Sequence, residues 1–156
     1  EPQSEDEVRF GEALDWALRK LALDIVRDGE GSRRIGRVVV SGGSDDVVVR
    51  ASRAVANSPL VKAALHGGDP NWGRIAQAVG AAIYDAAPLA LDIFIEGVQV
   101  CSAGNAVPHD GAALAEAVSG DEVEYLVRLP GDGAETEVFF SDLSHEYVTI
   151  NADYTT

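Results

Sequence analysis

The chain has 156 residues, 46% of them hydrophobic, and a formal net charge of −14 from 12 Lys and Arg against 26 Asp and Glu. That balance excludes nucleic acid and anionic membrane surfaces as partners, because both need clustered cationic side chains. A single cysteine, Cys101, excludes an internal disulfide, and with three scattered histidines it gives no metal-ligand spacing, so no metal is expected and a reducing cytoplasm is the expected compartment.

The length suits one domain. The opening Glu-Pro-Gln-Ser-Glu-Asp-Glu lacks the basic and apolar regions of a signal peptide, and no apolar run is long enough to span a bilayer. Met is absent throughout, which suggests a processed product or a fragment of a longer protein. Ser4 and Glu7 have capping-box spacing, and Phe10, Leu14, Ala17, Leu18, Leu21 and Ile25 recur at helical intervals. The spacing predicts a helix over 6–27, stopped by Asp28-Gly-Glu-Gly31.

Residues 34–40 are β-branched and read as a strand, ended by Ser41-Gly-Gly-Ser44. Over 45–56 strand propensity competes with a helical face of Val47, Ala51, Ala54 and Val55, and helix is preferred, capped by Ser44 or Asp45. Pro59 is placed to open a second helix to about Leu65. The turn cluster 67–73 precedes a helix over 74–85, whose Ala76, Gly80 and Ala81 suit close approach to a neighbour. Residues 91–95 and 98–101 flank Glu96-Gly97 as a hairpin, and Asp110 can cap a helix to Val118. Strands over 122–129 and 135–140 follow, joined by Pro130-Gly-Asp-Gly133, and Asp142 reads as the cap of a last short helix. The hairpins imply mixed pairing, so the fold class is α/β in layers, or α+β, with mixed sheets and packed helices.

The closing residues 141–156 mix Leu143, Tyr147 and Ile150 with Asn151 and Thr156, which suits a terminus held inward by apolar anchors. Glycines on both sides of Glu30 let its carboxylate project from a turn at a helix end, where the helix dipole favours cations. A plain helix cap with a solvated Glu explains the same residues. The 67–73 cluster lacks a Walker pattern and reads as a rigid turn pinned by Trp72. Arg74 at a helix start opposes the dipole, so a specific carboxylate or carbonyl partner is expected. His66, His109 and His145 read as surface or capping residues, and Cys101 as a small buried hydrophobe or, less well, a nucleophile.

Asp28-Gly-Glu-Gly31, Asn57-Ser-Pro-Leu-Val-Lys62, Gly68-Asp-Pro-Asn-Trp-Gly-Arg74 and Asp142-Leu through Tyr147-Val, Ile150-Asn-Ala-Asp-Tyr154 and Thr156 occur in this order. Together they resemble the ornithine acetyltransferase, or glutamate N-acetyltransferase, family, over nearly the whole chain. The resemblance implies the C-terminal part of a β chain within an N-terminal-nucleophile-like fold, completed by an upstream segment and an α chain from the same precursor. It implies a precursor cut before a threonine. The freed Thr takes acetyl from N-acetylornithine and passes it to glutamate in a ping-pong cycle, its own amine serving as the adjacent base.

That nucleophile, the cleavage motif and the family's oxyanion Thr-Gly pair do not occur in this sequence, so no catalytic residue is expected in the chain and alone it should be inert. Glu30, Asn151 and Thr156 match the family's substrate ligands: Glu30 suits an ammonium, Asn151 and Thr156 a carboxylate or amide. No cofactor is implied, and the assembly implied is α2β2 or larger. Ser32-Arg33-Arg34 and Ala63 depart from the family's usual Ala-Thr-Lys and Thr, which leaves open a β-lactam-cluster paralogue beside the arginine pathway. An N-terminal-nucleophile aminopeptidase or amidohydrolase, and a non-catalytic structural domain, stand as the other readings.

Overall fold

Local signals start most of the elements. Ser4 and Glu7 close the capping box, the Glu7 N–H donating to the Ser4 hydroxyl at 3.3 Å and the Ser4 N–H to the Glu7 carboxylate at 2.7 Å, and α1 (Glu5–Arg27) begins there. In a computed structural model, which describes residues 4–86 and 90–154, the chain continues through β1 (Ile35–Ser41), α2 (Asp45–Asn57), α3 (Pro59–Gly67) and α4 (Trp72–Ala82). A short 3₁₀ turn at Tyr84–Ala86 precedes β2 (Asp92–Ile95), β3 (Val98–Ser102), β4 (Asn105–Ala106), α5 (Gly111–Ala117), β5 (Glu122–Arg128), β6 (Glu135–Ser141) and α6 (His145–Asp153). The contested 45–56 segment is helical because Val48, Ala51 and Val55 bury one face against the sheet. The two-residue β4 carries too little pattern to be seen in sequence.

The strands form one mixed sheet in the order β4-β3-β2-β5-β1-β6. Glu96 (φ 48°) and Gly97 (φ 73°) both take left-handed backbone, the geometry of a primed hairpin turn, and β2 pairs antiparallel with β3. The connection from β5 to β6 is not a hairpin. Both strands flank β1, β5 parallel and β6 antiparallel, and the 130–134 segment bonds to Gly42 and Gly43 beyond the end of β1. Side chains alternate across the sheet. Val38, Val40, Ile93, Ile95, Tyr125, Val127 and Phe140 turn to the face covered by α2, α3 and α4, where the main core lies. Gly36 is buried opposite Phe140, whose ring stacks on Tyr125 at 6.0 Å and occupies the space a methyl at Gly36 would need.

The other face meets α1, but not through the helix's apolar stripe. Phe10, Leu14, Leu18, Leu21 and Ile25 are 45% to 74% exposed, and no residue of α1 is buried. The helix lies on β6 by its adjacent side, where Arg19 pairs with Glu137 at 2.7 Å and stacks over Phe139 at 5.2 Å. Periodicity states which residues share a face, not which face meets the rest of the chain. Gly80 likewise has open space at its missing Cβ, so α4 approaches α2 through Ile75 and Val79 and not by a glycine contact.

Candidate functional site

The Glu30 turn, the Lys62 segment and the start of the closing stretch meet where β1 begins and β6 ends, with Ile35 paired to Ser141 across that corner of the sheet. The turn after α1 enters β1 there, and the segment leaving β6 enters α6. The Asp142 N–H donates to the Arg34 carbonyl at 3.0 Å, and the Leu143 N–H to the Lys62 carbonyl at 3.2 Å, which joins α3 to the same corner.

Asp142 was expected to cap α6, but Ser144 is the cap: its hydroxyl accepts from the Tyr147 N–H at 2.9 Å. Asp142 instead points inward with a fully buried side chain. One carboxylate oxygen accepts from the Arg33 N–H at 3.0 Å, the Arg34 N–H at 3.2 Å and the Ser32 hydroxyl at 3.2 Å. The other lies 2.6 Å from His66 Nδ1. An ionised carboxylate only accepts, so His66 donates from Nδ1. Burial by itself would push the Asp142 carboxyl up; the Arg33 N–H, the His66 ring, the Arg34 N–H and the Ser32 hydroxyl outweigh it and hold the group below the usual carboxylate range. His66, expected as a surface or capping residue, is bonded to this buried carboxylate from the last turn of α3, and His145 sits edge-on to it at 5.9 Å between ring centroids.

The Glu30 turn is seated directly on the start of α6. The Ser144 hydroxyl donates to the Gly31 carbonyl at 2.6 Å. Gly31 has φ 64°, and a Cβ there would stand 2.5 Å from the Tyr147 nitrogen and 3.0 Å from its Cα. Glycine is required on both counts. Arg33 reaches Glu146 at 3.2 Å. Arg34 spreads its guanidinium over the carbonyls of Leu65, Val118 and Gly120, tying the ends of α3 and α5 to the same strand entry.

Of the residues matched to ligands, Glu30 is exposed and makes no salt bridge among the described residues. Asn151 is exposed on α6, its side-chain amide donating to the Tyr147 carbonyl at 2.9 Å. Tyr147 is the residue against which Gly31 packs, so Asn151 stands one helical turn, about 6 Å, further along the axis. Thr156 lies outside the described residues. A depression of about 260 Å³ lined by Arg27, Ser32, Arg33, Arg34, Ile35, Asp121 and Glu122 flanks the segment, and neither Glu30 nor Asn151 lines it.

The anchors expected for the tail are corrected by the structure. Tyr147 is 43% and Ile150 37% exposed, Leu143 is half-buried, and no residue of α6 is buried. Polar bonds from Ser144, Asp142 and Arg33 dock this helix, which composition could not reveal. Ser32, His66, Asp142 and Ser144 escaped sequence reasoning because their partners lie 76 to 113 residues away.

The 67–73 cluster is the rigid turn expected. Gly68 caps α3 in left-handed backbone, the Asn71 side chain accepts from the Arg74 N–H at 3.2 Å, and Trp72 packs on the core. The Arg74 guanidinium finds its carbonyl partner in Leu60 at 2.8 Å. Cys101 is fully buried, and burial raises its thiol pKa, which removes it as a nucleophile. Among the described residues no group of three or more His, Cys, Asp and Glu could hold a metal, and no helix is long and apolar enough to cross a membrane.

The family model described as ArgJ matches residues 1–156. The chain belongs to the ArgJ family. It is 41% identical over 152 residues to the arginine biosynthesis bifunctional protein ArgJ of Deinococcus radiodurans, covering 97% of this chain and 39% of that protein. It is 45% identical over 151 residues to the glutamate N-acetyltransferase of Methanopyrus kandleri, covering 94% of this chain and 39% of the relative. The crystal structure of the arginine biosynthesis bifunctional protein ArgJ from Bacillus halodurans superposes with a TM-score of 0.89 at 30% identity, over 99% of this chain and 73% of that one. The chain thus spans about two fifths of the length of these two curated relatives. Of the four motifs quoted from sequence, the Glu30 turn, the segment ending at Lys62 and the described part of the last meet at the Asp142 corner.

Proposed function

We propose that this chain is the substrate-binding part of a glutamate N-acetyltransferase, which moves an acetyl group from N-acetylornithine to glutamate. The observation that carries the reading is the seating of the Glu30 turn on α6. A carboxylate with no salt bridge among the described residues and an amide, 121 positions apart in sequence, are both exposed on segments that pack against each other. In this reading Glu30 pairs with an ammonium of the substrate, with the carbonyl end of α1 adding partial negative charge beside it. Asn151 and Thr156 bond a carboxylate or amide.

The nucleophile is a threonine supplied from outside this chain. Its hydroxyl oxygen attacks the acetyl carbonyl of N-acetylornithine, and the C–N bond breaks with a proton passing to the departing amine. The glutamate amine then takes the acetyl group from the threonine ester and restores the hydroxyl. This chain binds and orients the amino acids at each half-reaction. The reading includes one compact unit completed by an upstream segment and an α chain of the same precursor, an α2β2 or larger assembly, and a cytoplasmic setting. The names of the Deinococcus radiodurans and Bacillus halodurans proteins, which place those two in arginine biosynthesis, support the pathway.

The deciding measurement is steady-state kinetics on the complete enzyme. Glu30→Gln should raise the KM for N-acetylornithine by about tenfold or more, the loss expected for one charge-assisted hydrogen bond. Removing Thr155 and Thr156 should raise KM far more than it lowers the thermal midpoint. Unchanged kinetics in both variants would remove these residues from the site. Partition of the acetyl group to water instead of glutamate would replace transfer by hydrolysis. The chain by itself should transfer no acetyl group.

A further inference from the structure

The geometry points to Asp142 as a positioning residue, whose carboxylate holds the Glu30 turn and α6 in register so that Glu30 and Asn151 act on one ligand. The inference rests on the reading of those two side chains as substrate ligands. Among the described residues Asp142 is the one charged side chain that is buried. Desolvating a carboxylate is expensive and is tolerated only where its acceptor sites are filled. Here they are filled by donors from two other segments: Ser32, Arg33 and Arg34, which lead from the Glu30 turn into β1, and His66 at the end of α3.

Neither ligand-bearing segment is held by apolar burial. Glu30 is exposed and α6 buries no residue, so directional hydrogen bonds must set their separation. The guanidiniums of Arg33 and Arg34 turn away from Asp142, one to Glu146 and the other to backbone carbonyls. The carboxylate is therefore met by backbone N–H groups, a hydroxyl and an imidazole, groups with short reach and fixed direction. Two residues further on, Ser144 caps α6 and grips the Gly31 carbonyl. The Asp142-to-Ser144 segment thus links the two ligand-bearing segments at both of their near ends.

The test compares Asp142→Ala, Asp142→Asn and Glu30→Gln in the complete enzyme by kinetics and amide hydrogen exchange. Asp142→Ala should raise the KM for N-acetylornithine about tenfold with kcat little changed, as expected when binding groups are displaced without loss of the reacting centre. Asp142→Asn keeps an oxygen for the Arg33 and Arg34 N–H groups and should recover part of the loss. In both variants amides over 29–34 and 145–153 should lose protection together, while those of β1 and β5 keep theirs. Asp142→Ala and Glu30→Gln combined should be less than additive in log KM, the signature of one residue acting through another.

A KM unmoved by Asp142→Ala while Glu30→Gln raises it would overturn the positioning role and leave the ligand reading intact. A silent Glu30→Gln with paired loss of protection in Asp142→Ala would overturn the ligand reading and leave Asp142 as the link between the two segments. Protection lost evenly across β1 and β5 would reduce Asp142 to a general stability role. If the alanine variant does not fold, Asp142→Asn and Ser32→Ala carry the same comparison.

Discussion

Gly31→Ala places a single methyl group between the Glu30 turn and the first turn of α6. Ordinary contact for that carbon begins near 3.4 Å and the Tyr147 nitrogen stands at 2.5 Å, so the two segments must separate by about 0.9 Å. The left-handed backbone at φ 64° adds about 1–2 kcal/mol for any residue with a Cβ. Overpacking in a rigid core would add about 1–3 kcal/mol more, but α6 has no buried residue and yields more cheaply than a core helix. The stability loss should therefore stay near the backbone contribution, a shift of roughly 2–8 °C in the thermal midpoint for a domain of this size. The displacement falls on the geometry between Glu30 and Asn151, and a misplacement of about 1 Å can cost on the order of 10²-fold in kcat/KM. Steady-state kinetics and thermal unfolding of the complete enzyme measure the two effects separately. Gly31→Asn is the control: it accepts left-handed backbone more easily but carries the same Cβ, so it should regain stability without regaining activity. Wild-type kinetics in Gly31→Ala would refute the claim that this contact sets the site.

Gly36→Ala would put a methyl into the Phe140 ring that stacks on Tyr125, and should cost about 2–4 kcal/mol in denaturant unfolding; failure of Phe140→Leu to restore part of that loss would show that the ring is not the obstacle. Asp142 has a folded-state pKa below its unfolded value, so its contribution is fully present above about pH 4 and is lost as pH falls through the folded value. The stability advantage of wild type over Asp142→Asn should accordingly shrink below that pH, and a difference that stays constant with pH would sink the assignment of the charge. Cys101, fully buried and with its thiol pKa raised by burial, should resist alkylation in the native protein and react only on unfolding; labelling at the rate of a free thiol would contradict its position.

The elements with strong local chemistry were legible without coordinates. The Ser4–Glu7 box, Pro59 at a helix start, the Glu96-Gly97 turn and the Asp110 cap each act through neighbours within a few residues, and each appears where expected. The site was legible by a different route. Spacing alone favours Glu30 as a solvated residue of a helix cap over a ligand, and it is the ordered set of motifs that identifies the family. What joins the motifs was invisible: Asp142 looks like a cap because Asp before a helix usually is one, and only its burial shows otherwise.

The chain's own order of residues determined its helices, its hairpin, its acidity and its membership of the ArgJ family, because those depend on local backbone preferences and on a linear pattern. Tertiary structure decided the rest. It placed β5 and β6 on either side of β1, left the apolar stripe of α1 exposed, and turned Asp142 inward to meet Ser32, Arg33, Arg34 and His66. The reason is range. A cap or a turn is settled by bonds that close within a few residues, whereas a buried carboxylate takes its meaning from donors that only the folded sheet brings within 3.2 Å.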